Sequence, residues 1–459
     1  MNNDTIAAIA TGMNPSGIGI IRISGEDAFV IASSIFRKKN NSRLSDFESH
    51  KAYYGYVYDN ENIIDEVILL IFKGPNSFTG EDTAEIQCHG GIIVMNKILN
   101  LCIKAGCRIA DPGEFSKRAF INGKMDLSEA EAVMDVISSK NEYALKNSVK
   151  QMTGSLYNKI VDIRKKIIYE IAYIESALDD PEHFSLEGYS FDLSNKLLSI
   201  LRELEKLADS YNDGKVLSEG VKTVILGKPN VGKSSLLNIL AGSDRAIVTD
   251  VAGTTRDTIE ESVNINGIML NIVDTAGIRE SEDIVEQIGV KKALSIAEDA
   301  DFIIFVLDSS KSLTSEDEDI FSFIKTHNKK CVILLNKSDL ENVIGVNEVA
   351  CYSSSPIILV SAKDEKGIDE LKKYIEDQYS SGYLKYNDEI FISNARQLEA
   401  LNLAIQSLLC VCKSIKDEMP EDFYSIDLTS AYESLGKIIG EQIEEDVIKE
   451  IFSKFCVGK

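Results

Sequence analysis

A strand-like run followed at once by a glycine-rich loop and a helical pattern constrains the fold of this chain more than any other feature. Val221–Leu226 predicts a buried strand, which leads into Gly227-Lys-Pro-Asn-Val-Gly-Lys-Ser234 and a helical pattern over residues 235–241. Such glycines let backbone N–H groups close around phosphate oxygens, and the helix N-terminus adds positive potential. The arrangement predicts a phosphate-binding loop (P-loop), with a chance glycine-rich turn as the alternative.

Three more motifs follow in order, each after a predicted strand. Asp274-Thr-Ala-Gly277 ends a predicted hairpin, Asn336-Lys-Ser-Asp339 follows the apolar residues 331–335, and Ser361-Ala-Lys363 follows residues 357–360. In the second motif a carboxylate accepts two N–H bonds from the guanine edge that adenine cannot supply, so a site built for them rejects ATP. Four such motifs at the carboxyl ends of strands predict a Ras-like P-loop GTPase domain.

The chemistry of such a site assigns roles to single side chains. Lys233 reaches the β- and γ-phosphates, the Ser234 hydroxyl ligates Mg²⁺, and Asp274 holds Mg²⁺ through water. The sequence Gly253-Thr-Thr-Arg-Asp257 offers Thr255 as the switch threonine that senses the γ-phosphate and Mg²⁺. A polar turn with a helix cap is the alternative for Thr255.

Hydrolysis needs a group that orients water, and Ile278, the residue after Gly277, is apolar and cannot do so. The reaction must therefore use another polar side chain. The acidic residues that follow are candidates, although by position alone they indicate a solvated switch surface. They are Glu280, Glu282, Asp283 and Glu286.

The periodicity of apolar residues divides the 459-residue chain. Strand-like runs first alternate with two helical stretches, whereas apolar residues recur every three or four positions on both sides of the GTPase motifs. The predicted domains are residues 1–120 (α+β), 121–215 (helical), 216–380 (GTPase) and 381–459 (helical). We expect the two helical parts to form one discontinuous domain with the GTPase inserted, although two separate bundles would give the same pattern.

Single elements are predicted as well. In the first domain, strands are expected at residues 18–23, 53–58, 67–72 and 84–88, and helices at residues 26–36 and 92–104. Further on, the helical pattern of residues 193–208 stops near Asp213-Gly214. Residues 212–220 are polar and contain glycine, which predicts a linker into the strand Val221–Leu226.

Composition excludes several classes of protein. With 49 Lys and Arg against 73 Asp and Glu, the net charge of −24 argues against a surface that binds nucleic-acid backbones unaided. The eight cysteines lack CxxC spacing and the four histidines are scattered, so we predict reduced thiols and neither a zinc site nor a disulfide framework. No signal-peptide pattern and no apolar run near the roughly 20 residues of a membrane span are seen, which predicts a soluble cytoplasmic protein.

Taken together, these motifs make the sequence similar over its whole length to the MnmE (TrmE) family of tRNA modification GTPases. The motif Asp274-Thr-Ala-Gly-Ile-Arg-Glu280 contributes to the resemblance within the GTPase part. Outside it, the resemblance rests on Ser24-Gly25 after Gly17-Ile-Gly-Ile-Ile-Arg22, Ser77-Phe-Thr-Gly-Glu-Asp82, His89-Gly-Gly91, Pro112-Gly-Glu-Phe-Ser116, Arg118-Ala-Phe120 and Phe455-Cys-Val-Gly-Lys459. Generic GTPases lack the last of these motifs.

The resemblance implies a fold class of multidomain α/β and α. It comprises an N-terminal α+β folate-binding domain that also dimerises, a discontinuous helical domain and an inserted Ras-like P-loop GTPase domain. It further implies a potassium-dependent GTP hydrolase, activated when two GTPase domains meet. Asn230 and Thr254 with the backbone of Thr249 and Val251 would surround K⁺, and Glu286 would orient water. The ion would neutralise charge on the transferring phosphate, as an arginine finger does.

The resemblance also carries over sets of binding residues. The catalytic candidates are Glu286, Lys233 and Cys456, and the magnesium ligands are Ser234 and Thr255. The folate contacts would be Arg22, Glu85, Lys124 and Lys459, each of which taken alone reads as a solvated surface charge. Cys456 would take part in the modification chemistry, with a buried hydrophobe as the alternative. The GTP-binding residues would be Asn230, Val231, Gly232, Lys233, Ser234, Ser235, Thr249, Asp250, Val251, Ala252, Gly253, Thr254, Thr255, Asp274, Thr275, Ala276, Gly277, Asn336, Lys337, Asp339, Ser361, Ala362 and Lys363.

The implied function is addition of a (carboxymethyl)aminomethyl group at C5 of the wobble uridine, U34, of certain tRNAs. A 5-formyl- or 5,10-methylene-tetrahydrofolate would supply the one-carbon unit, and the FAD-containing flavoprotein MnmG would be the partner. The expected assembly is a homodimer within a heterotetramer that holds tRNA mainly through the complex, with no membrane involved. The alternative is a ribosome-assembly RNA-binding GTPase, which would be expected to carry a second GTPase domain or a basic appendage.

Overall fold

The computed structural model describes residues 4–40, 46, 48–243, 260–273, 294–379, 390–456 and 458. They form two compact units, and the predicted domain boundaries stay predictions. The first unit comprises Met1–Met134, Gln151–Leu197 and Leu403–Lys459. The second unit comprises Asp135–Lys150 and Leu198–Asn402.

A seven-stranded sheet dominates the first unit. Its spatial order is β3-β4-β5-β6-β2-β1-β7, with antiparallel neighbours except for the parallel pair β1 and β7. The strands are β1 (Ile6–Ile9), β2 (Ser16–Ser24), β3 (Phe36–Lys38), β4 (Lys51–Asp59), β5 (Asn62–Phe72), β6 (Thr83–Gly90) and β7 (Arg108–Ile109). The helices that accompany them are α1 (Ala28–Ile35), α2 (Ile92–Lys104) and α3 (Glu114–Ile121).

The four strands and two helices predicted in this region are confirmed, while the helix α3 and the strands β1, β3 and β7 were not predicted. These three strands have four, three and two residues, too few to show a period of two in the sequence. Along β6, Ala84, Ile86 and Cys88 are buried against the core beneath α1 and α2. Glu85 points to the other face of the sheet, because successive side chains alternate along a strand.

In the helical part of the first unit, an ion pair joins α6 (Ser155–Asp179) to the segment between α13 (Asp422–Ile439) and α14 (Glu445–Ser453). The helices of this part include α4 (Leu127–Ser138) as well, which continues into the second unit. Arg164 of α6 donates from both terminal nitrogens to the carboxylate of Glu441, at 2.7 and 2.5 Å, and its guanidinium lies 4.0 Å from the Tyr432 ring centroid. A bidentate pair of this kind fixes the geometry of two segments as well as joining them.

The second unit is built on a six-stranded sheet with the order β13-β12-β11-β8-β10-β9. All neighbours are parallel except β9 and β10, which form the predicted hairpin around Asn266-Gly267. The strands are β8 (Val221–Leu226), β9 (Glu260–Ile265), β10 (Ile268–Val273), β11 (Phe302–Asp308), β12 (Cys331–Asn336) and β13 (Ile357–Leu359). The helices are α5 (Glu142–Met152), α8 (Lys233–Ser243), α9 (Ser315–Thr326), α10 (Val346–Val349) and α11 (Ile368–Tyr379).

Helices cover both faces of this sheet, because its central strands are apolar on both sides. Along β11, Ile304 and Val306 pack with α8 and α11, whereas Ile303 and Phe305 pack with α9. The sheet is therefore doubly wound, and the carboxyl ends of β8, β12 and β13 lie at one edge, where such folds bind ligands. The predicted fold class of an inserted P-loop domain beside α+β and helical parts is confirmed.

The linker predicted over residues 212–220 is wrong. The helix α7 (Tyr189–Glu219) continues through Gly214 and reaches β8 with only Gly220 between them. A Cβ on Gly214 would lie 2.2 Å from the carbonyl oxygen of Ile392. The glycine thus permits close approach of a neighbouring segment and does not end the helix, a distinction that the local sequence cannot make.

The helix α12 (Ala395–Lys416) is long and apolar enough to cross a membrane by length and composition, with a mean hydropathy of 1.4 over its most apolar window. It is the one such helix among the described residues. A single helix is weak evidence, because core helices of soluble proteins pass the same test. Leu401, Leu408 and Val411 are fully buried, which gives α12 one packed apolar side, whereas Leu403 and Leu409 are exposed.

Two glycines flanking α3 give a matched test of the packing between α3 and α14. Both have a φ of 67°, but a Cβ on Gly113 would lie 2.3 Å from the Phe452 carbonyl oxygen, whereas a Cβ on Gly123 meets nothing within 4 Å. We expect Gly123→Ala to lower the free energy of unfolding by about 1–2 kcal/mol, the cost of a left-handed backbone at alanine. Gly113→Ala should lower it clearly more, because α14 must also move. Melting temperatures measured by circular dichroism check this, and equal losses would contradict the packing described.

Candidate functional site

The loop between β8 and α8 is shaped for anion binding. Asn230 takes a left-handed conformation with φ of 62°, and α8 begins at Lys233 so that its N-terminus points at the loop. The Lys233 ammonium donates to the carbonyl oxygens of Gly227 and Lys228 at 2.5 and 2.8 Å. The loop therefore has a cation held across it and backbone N–H groups behind it, which is the chemistry that phosphate oxygens require.

A buried amide joins this loop to the two base-recognition motifs. Asn336, the last residue of β12, is 2% exposed. Its Nδ2 donates to the Val231 carbonyl oxygen at 2.7 Å, and its Oδ1 accepts from the Ala362 backbone N–H at 3.0 Å. The side chain thus fixes the P-loop and the Ser361-Ala-Lys363 loop relative to each other.

Asp339, the carboxylate expected to bind the guanine edge, is held in its ionised form. The Ser361 hydroxyl donates to Asp339 Oδ1 at 2.7 Å, and this hydrogen bond lowers the pKa of the exposed Asp339 carboxyl below its usual value. An ionised carboxylate only accepts hydrogen bonds, and the guanine edge offers two N–H donors. The arrangement can therefore select guanine over adenine.

Two ion pairs at this edge of the sheet involve acidic residues that sequence analysis missed. Lys337 Nζ lies 2.7 Å from Asp308 Oδ2, and Lys228 Nζ lies 2.6 Å from Asp317 Oδ2. Both carboxylates are almost completely buried. The sequence Thr314-x-x-Asp317 signals a helix start, which the capping box confirms, but it carries no signal of contact with the P-loop.

The remaining predicted nucleotide and metal residues divide into two groups. Ser234 and Ser235 lie exposed in the first turn of α8. Among the described residues, no group of three or more His, Cys, Asp or Glu could hold a metal ion. The other candidates, Thr249, Asp250, Val251, Ala252, Gly253, Thr254, Thr255, Asp274, Thr275, Ala276, Gly277 and Glu286, lie outside the described residues.

In the first unit, Arg22 and Glu85 form one cluster. They face each other across β2 and β6, with 2.8 Å between Arg22 Nε and Glu85 Oε1. Arg22 also donates to the Gly458 carbonyl oxygen at 3.3 Å and lies over the ring of Phe115. Cation, carboxylate and aromatic surface are thus brought together beside the final residues of the chain.

Of the other two predicted folate contacts, the described residues include Lys124, which lies outside this cluster of contacts. Lys124 is exposed, and its ammonium donates to the Pro75 carbonyl oxygen at 3.0 Å. Lys459 lies outside the described residues. The described geometry thus supports a binding role for Arg22 and Glu85 more directly than for Lys124.

Comparison with known proteins gives matches over the whole chain. The family model for the MnmE helical domain matches residues 127–456, and that for the GTP-binding protein TrmE N-terminus matches residues 5–124. The tRNA modification GTPase MnmE of Lachnoclostridium phytofermentans is 53% identical over 460 residues, covering 100% of both chains. The chain belongs to the MnmE family.

Other known proteins are similar to the whole chain or to part of it. The tRNA modification GTPase MnmE of Clostridioides difficile is 46% identical, covering 100% of this chain and 99% of that protein. Among solved structures, the G domain of the FeoB iron transporter of T. maritima is 27% identical and covers 35% of this chain and 98% of that one, with a TM-score of 0.27. The family assignment rests on the full-length relatives and the two family models.

The cysteine of the MnmE-like Phe455-Cys-Val-Gly-Lys459 motif is accessible. Cys456 is exposed, so its alternative interpretation as a buried hydrophobe is wrong. Its carbonyl oxygen accepts from the Gly113 N–H at 3.4 Å, which ties this residue to the start of α3. The thiol is therefore presented to solvent from an anchored backbone.

Burial divides the thiols into two reactivity classes. Burial raises the pKa of Cys88 to about 11 and that of Cys107 to about 12, and Cys102 and Cys331 are buried as well. Since only the thiolate reacts, iodoacetamide at pH 8 should label the exposed Cys351, Cys410 and Cys456 in the native protein long before these four. Peptide mass spectrometry checks this, with the urea-unfolded chain as the fully labelled control. Native labelling of Cys102 as fast as Cys456 would contradict the burial described.

Proposed function

We propose that this member of the MnmE family is a GTP hydrolase that acts with a flavoprotein to add a (carboxymethyl)aminomethyl group at C5 of the wobble uridine of certain tRNAs. The observation that carries the GTPase part is the bridge from Asn336 to Val231 and Ala362, with Asp339 ionised beside it. The relatives named tRNA modification GTPase along the whole chain support the tRNA part.

The described side chains account for how GTP is bound. Asp339 accepts the two N–H bonds of the guanine edge, and Asn336 keeps the base-binding loops in register with the P-loop. Lys233 exchanges its two carbonyl partners for β- and γ-phosphate oxygens, and Ser234 contributes a hydroxyl to Mg²⁺. The fold already holds each of these side chains in place. GTP binding therefore costs little of their conformational entropy.

Hydrolysis in this proposal uses K⁺ where other GTPases use an arginine finger. Ile278 cannot orient water, so Glu286 takes that task. Asn230 and Thr254, with the backbone of Thr249 and Val251, would hold the K⁺, which would supply positive charge to the transferring phosphate. Of this set, Asn230 is a described residue and lies in the P-loop, where its φ is 62°.

The first unit is proposed to bind the folate that supplies the one-carbon unit. The adjacent cation of Arg22 and carboxylate of Glu85 suit a ligand with a glutamate tail and a pterin N–H edge. Lys124 and Lys459 add positive charge, and the exposed thiol of Cys456 lies on the segment whose next described residue, Gly458, contacts Arg22. Folate and thiol are therefore proposed to work in one place.

The flavoprotein partner is proposed to supply most of the binding affinity for tRNA. The chain has a net charge of −24, and such a surface repels the phosphate backbone. A flavoprotein that carries FAD and a basic surface resolves this conflict. The assembly we propose is a homodimer of this chain within a heterotetramer that contains the flavoprotein MnmG, active in the cytoplasm.

Nucleoside analysis of cellular tRNA tests this function. In cells that lack the protein, C5-aminomethyl-type wobble uridines should vanish from total tRNA by mass spectrometry. Wild type should restore them, Lys233→Ala should not, because the phosphate-binding cation is lost, and Lys325→Ala on the exposed side of α9 should restore them fully. Persistence of the modified uridines together with accumulation of ribosomal precursors would overturn the proposal in favour of ribosome assembly.

A further inference from the structure

Two buried carboxylates lie at the two ends of the segment that joins β11 to α9. Asp308 is the last residue of β11 and Asp317 lies in the first turn of α9, with side chains 4% and 1% exposed. Neither belongs to a GTPase motif, but each forms an ion pair with a lysine of one. Buried charge is stable only when it is paired and hydrogen-bonded, so their partners indicate what they do.

Asp308 holds the lysine of the base-recognition motif. Its Oδ2 lies 2.7 Å from Lys337 Nζ, while its Oδ1 accepts from the hydroxyl and backbone N–H of Ser310 at 2.6 and 3.1 Å. Burial alone would raise the pKa of Asp308, but the hydrogen bonds from Lys337 and Ser310 outweigh it and hold that pKa below its usual value. Lys337 also has a left-handed φ of 63°, so both its backbone and its ammonium are fixed.

Asp317 holds Lys228, the first lysine of the P-loop. Its Oδ2 lies 2.6 Å from Lys228 Nζ and accepts from the Thr314 hydroxyl and N–H. The same ammonium donates to Thr314 Oγ1 at 3.0 Å. The turn at the start of α9 therefore binds the side chain of Lys228, the second residue of the P-loop.

We infer that the segment from Asp308 to Asp317 positions both nucleotide loops, with Asp308 acting on guanine binding through Lys337 and Asp317 acting on phosphate binding through Lys228. The inference rests on the proposed binding of GTP. A lysine has four rotatable side-chain bonds, so fixing its ammonium costs conformational entropy. When an ion pair fixes the ammonium before the nucleotide arrives, nucleotide binding no longer bears that cost. The two acids are positioning residues, since neither reaches the nucleotide itself.

The effect is expected in affinity more than in turnover. Interactions that stabilise bound substrate and transition state equally change KM and leave kcat unaltered. Asp308→Asn and Asp317→Asn should therefore each weaken binding of fluorescent mant-GDP about tenfold and raise KM for GTP correspondingly, with kcat within about twofold. The matched control is Asp319→Asn, which changes an exposed carboxylate on the same helix and should bind as wild type does.

The two variants, Asp308→Asn and Asp317→Asn, are expected to weaken contacts to different parts of the nucleotide. Competition with GMP and GDP separates them, because only GDP carries the β-phosphate. Asp308→Asn should weaken both nucleotides by the same factor, whereas Asp317→Asn should reduce the preference for GDP over GMP. A general loss of structure would instead weaken binding without this pattern and lower the melting temperature of the nucleotide-free protein.

A double-mutant comparison tests whether Asp308 acts through Lys337. If it does, Asp308→Asn combined with Lys337→Met should bind mant-GDP no more weakly than Lys337→Met alone. Should Asp308→Asn fail to fold, the pair Asp308→Asn with Lys337→Gln, neutral on both sides, serves in its place and should still bind about tenfold more weakly than wild type.

The outcomes separate this inference from the function on which it rests. If wild type and Asp319→Asn fail to bind mant-GDP, the proposed guanine-nucleotide site itself is wrong. If they bind and Asp308→Asn and Asp317→Asn bind equally well, the positioning role is overturned. Additive losses in the double variant would overturn the assignment of Asp308 to Lys337.

Discussion

The buried amide of Asn336 is the interaction on which the nucleotide site depends. An amide with 2% exposure must find partners for both its donor and its acceptor, and here they are the Val231 carbonyl and the Ala362 N–H. These two groups belong to loops that follow different strands, β8 and β13. A single side chain therefore sets the distance between the phosphate end and the base end of the site, and the doubly wound sheet supplies the edge at which this is possible.

The motif residues of this site were predictable because backbone geometry and ligand chemistry demand them. A loop that closes around phosphate needs glycine, and a carboxylate that reads guanine needs a fixed neighbour such as Ser361. Asp308 and Asp317 were not predictable, because what distinguishes them is burial and a lysine partner 29 and 89 positions away in the chain. At a strand end or a helix start, the local sequence around an acidic residue indicates only a helix cap or a surface charge.

The first unit shows the same limit on sequence reasoning. Its longer strands and helices follow from alternation and helical periodicity, whereas β3 and β7 are too short to show either. Gly214 was misread as the end of a helix because a glycine that admits a neighbouring chain and one that ends a helix look alike. Arg22 and Glu85 were named from the family motifs, and their pairing follows from the register of β2 and β6.

Amide hydrogen exchange gives the most direct test that Asn336 holds the two loops together. Peptides covering residues 227–243 and 357–366 are followed in wild type and in Asn336→Ala. The account predicts that both segments exchange faster in the variant, by about tenfold or more, while the sheet of the first unit is unchanged. Unaltered exchange in the P-loop peptide, with or without a change in the other, would contradict the central place given to this side chain.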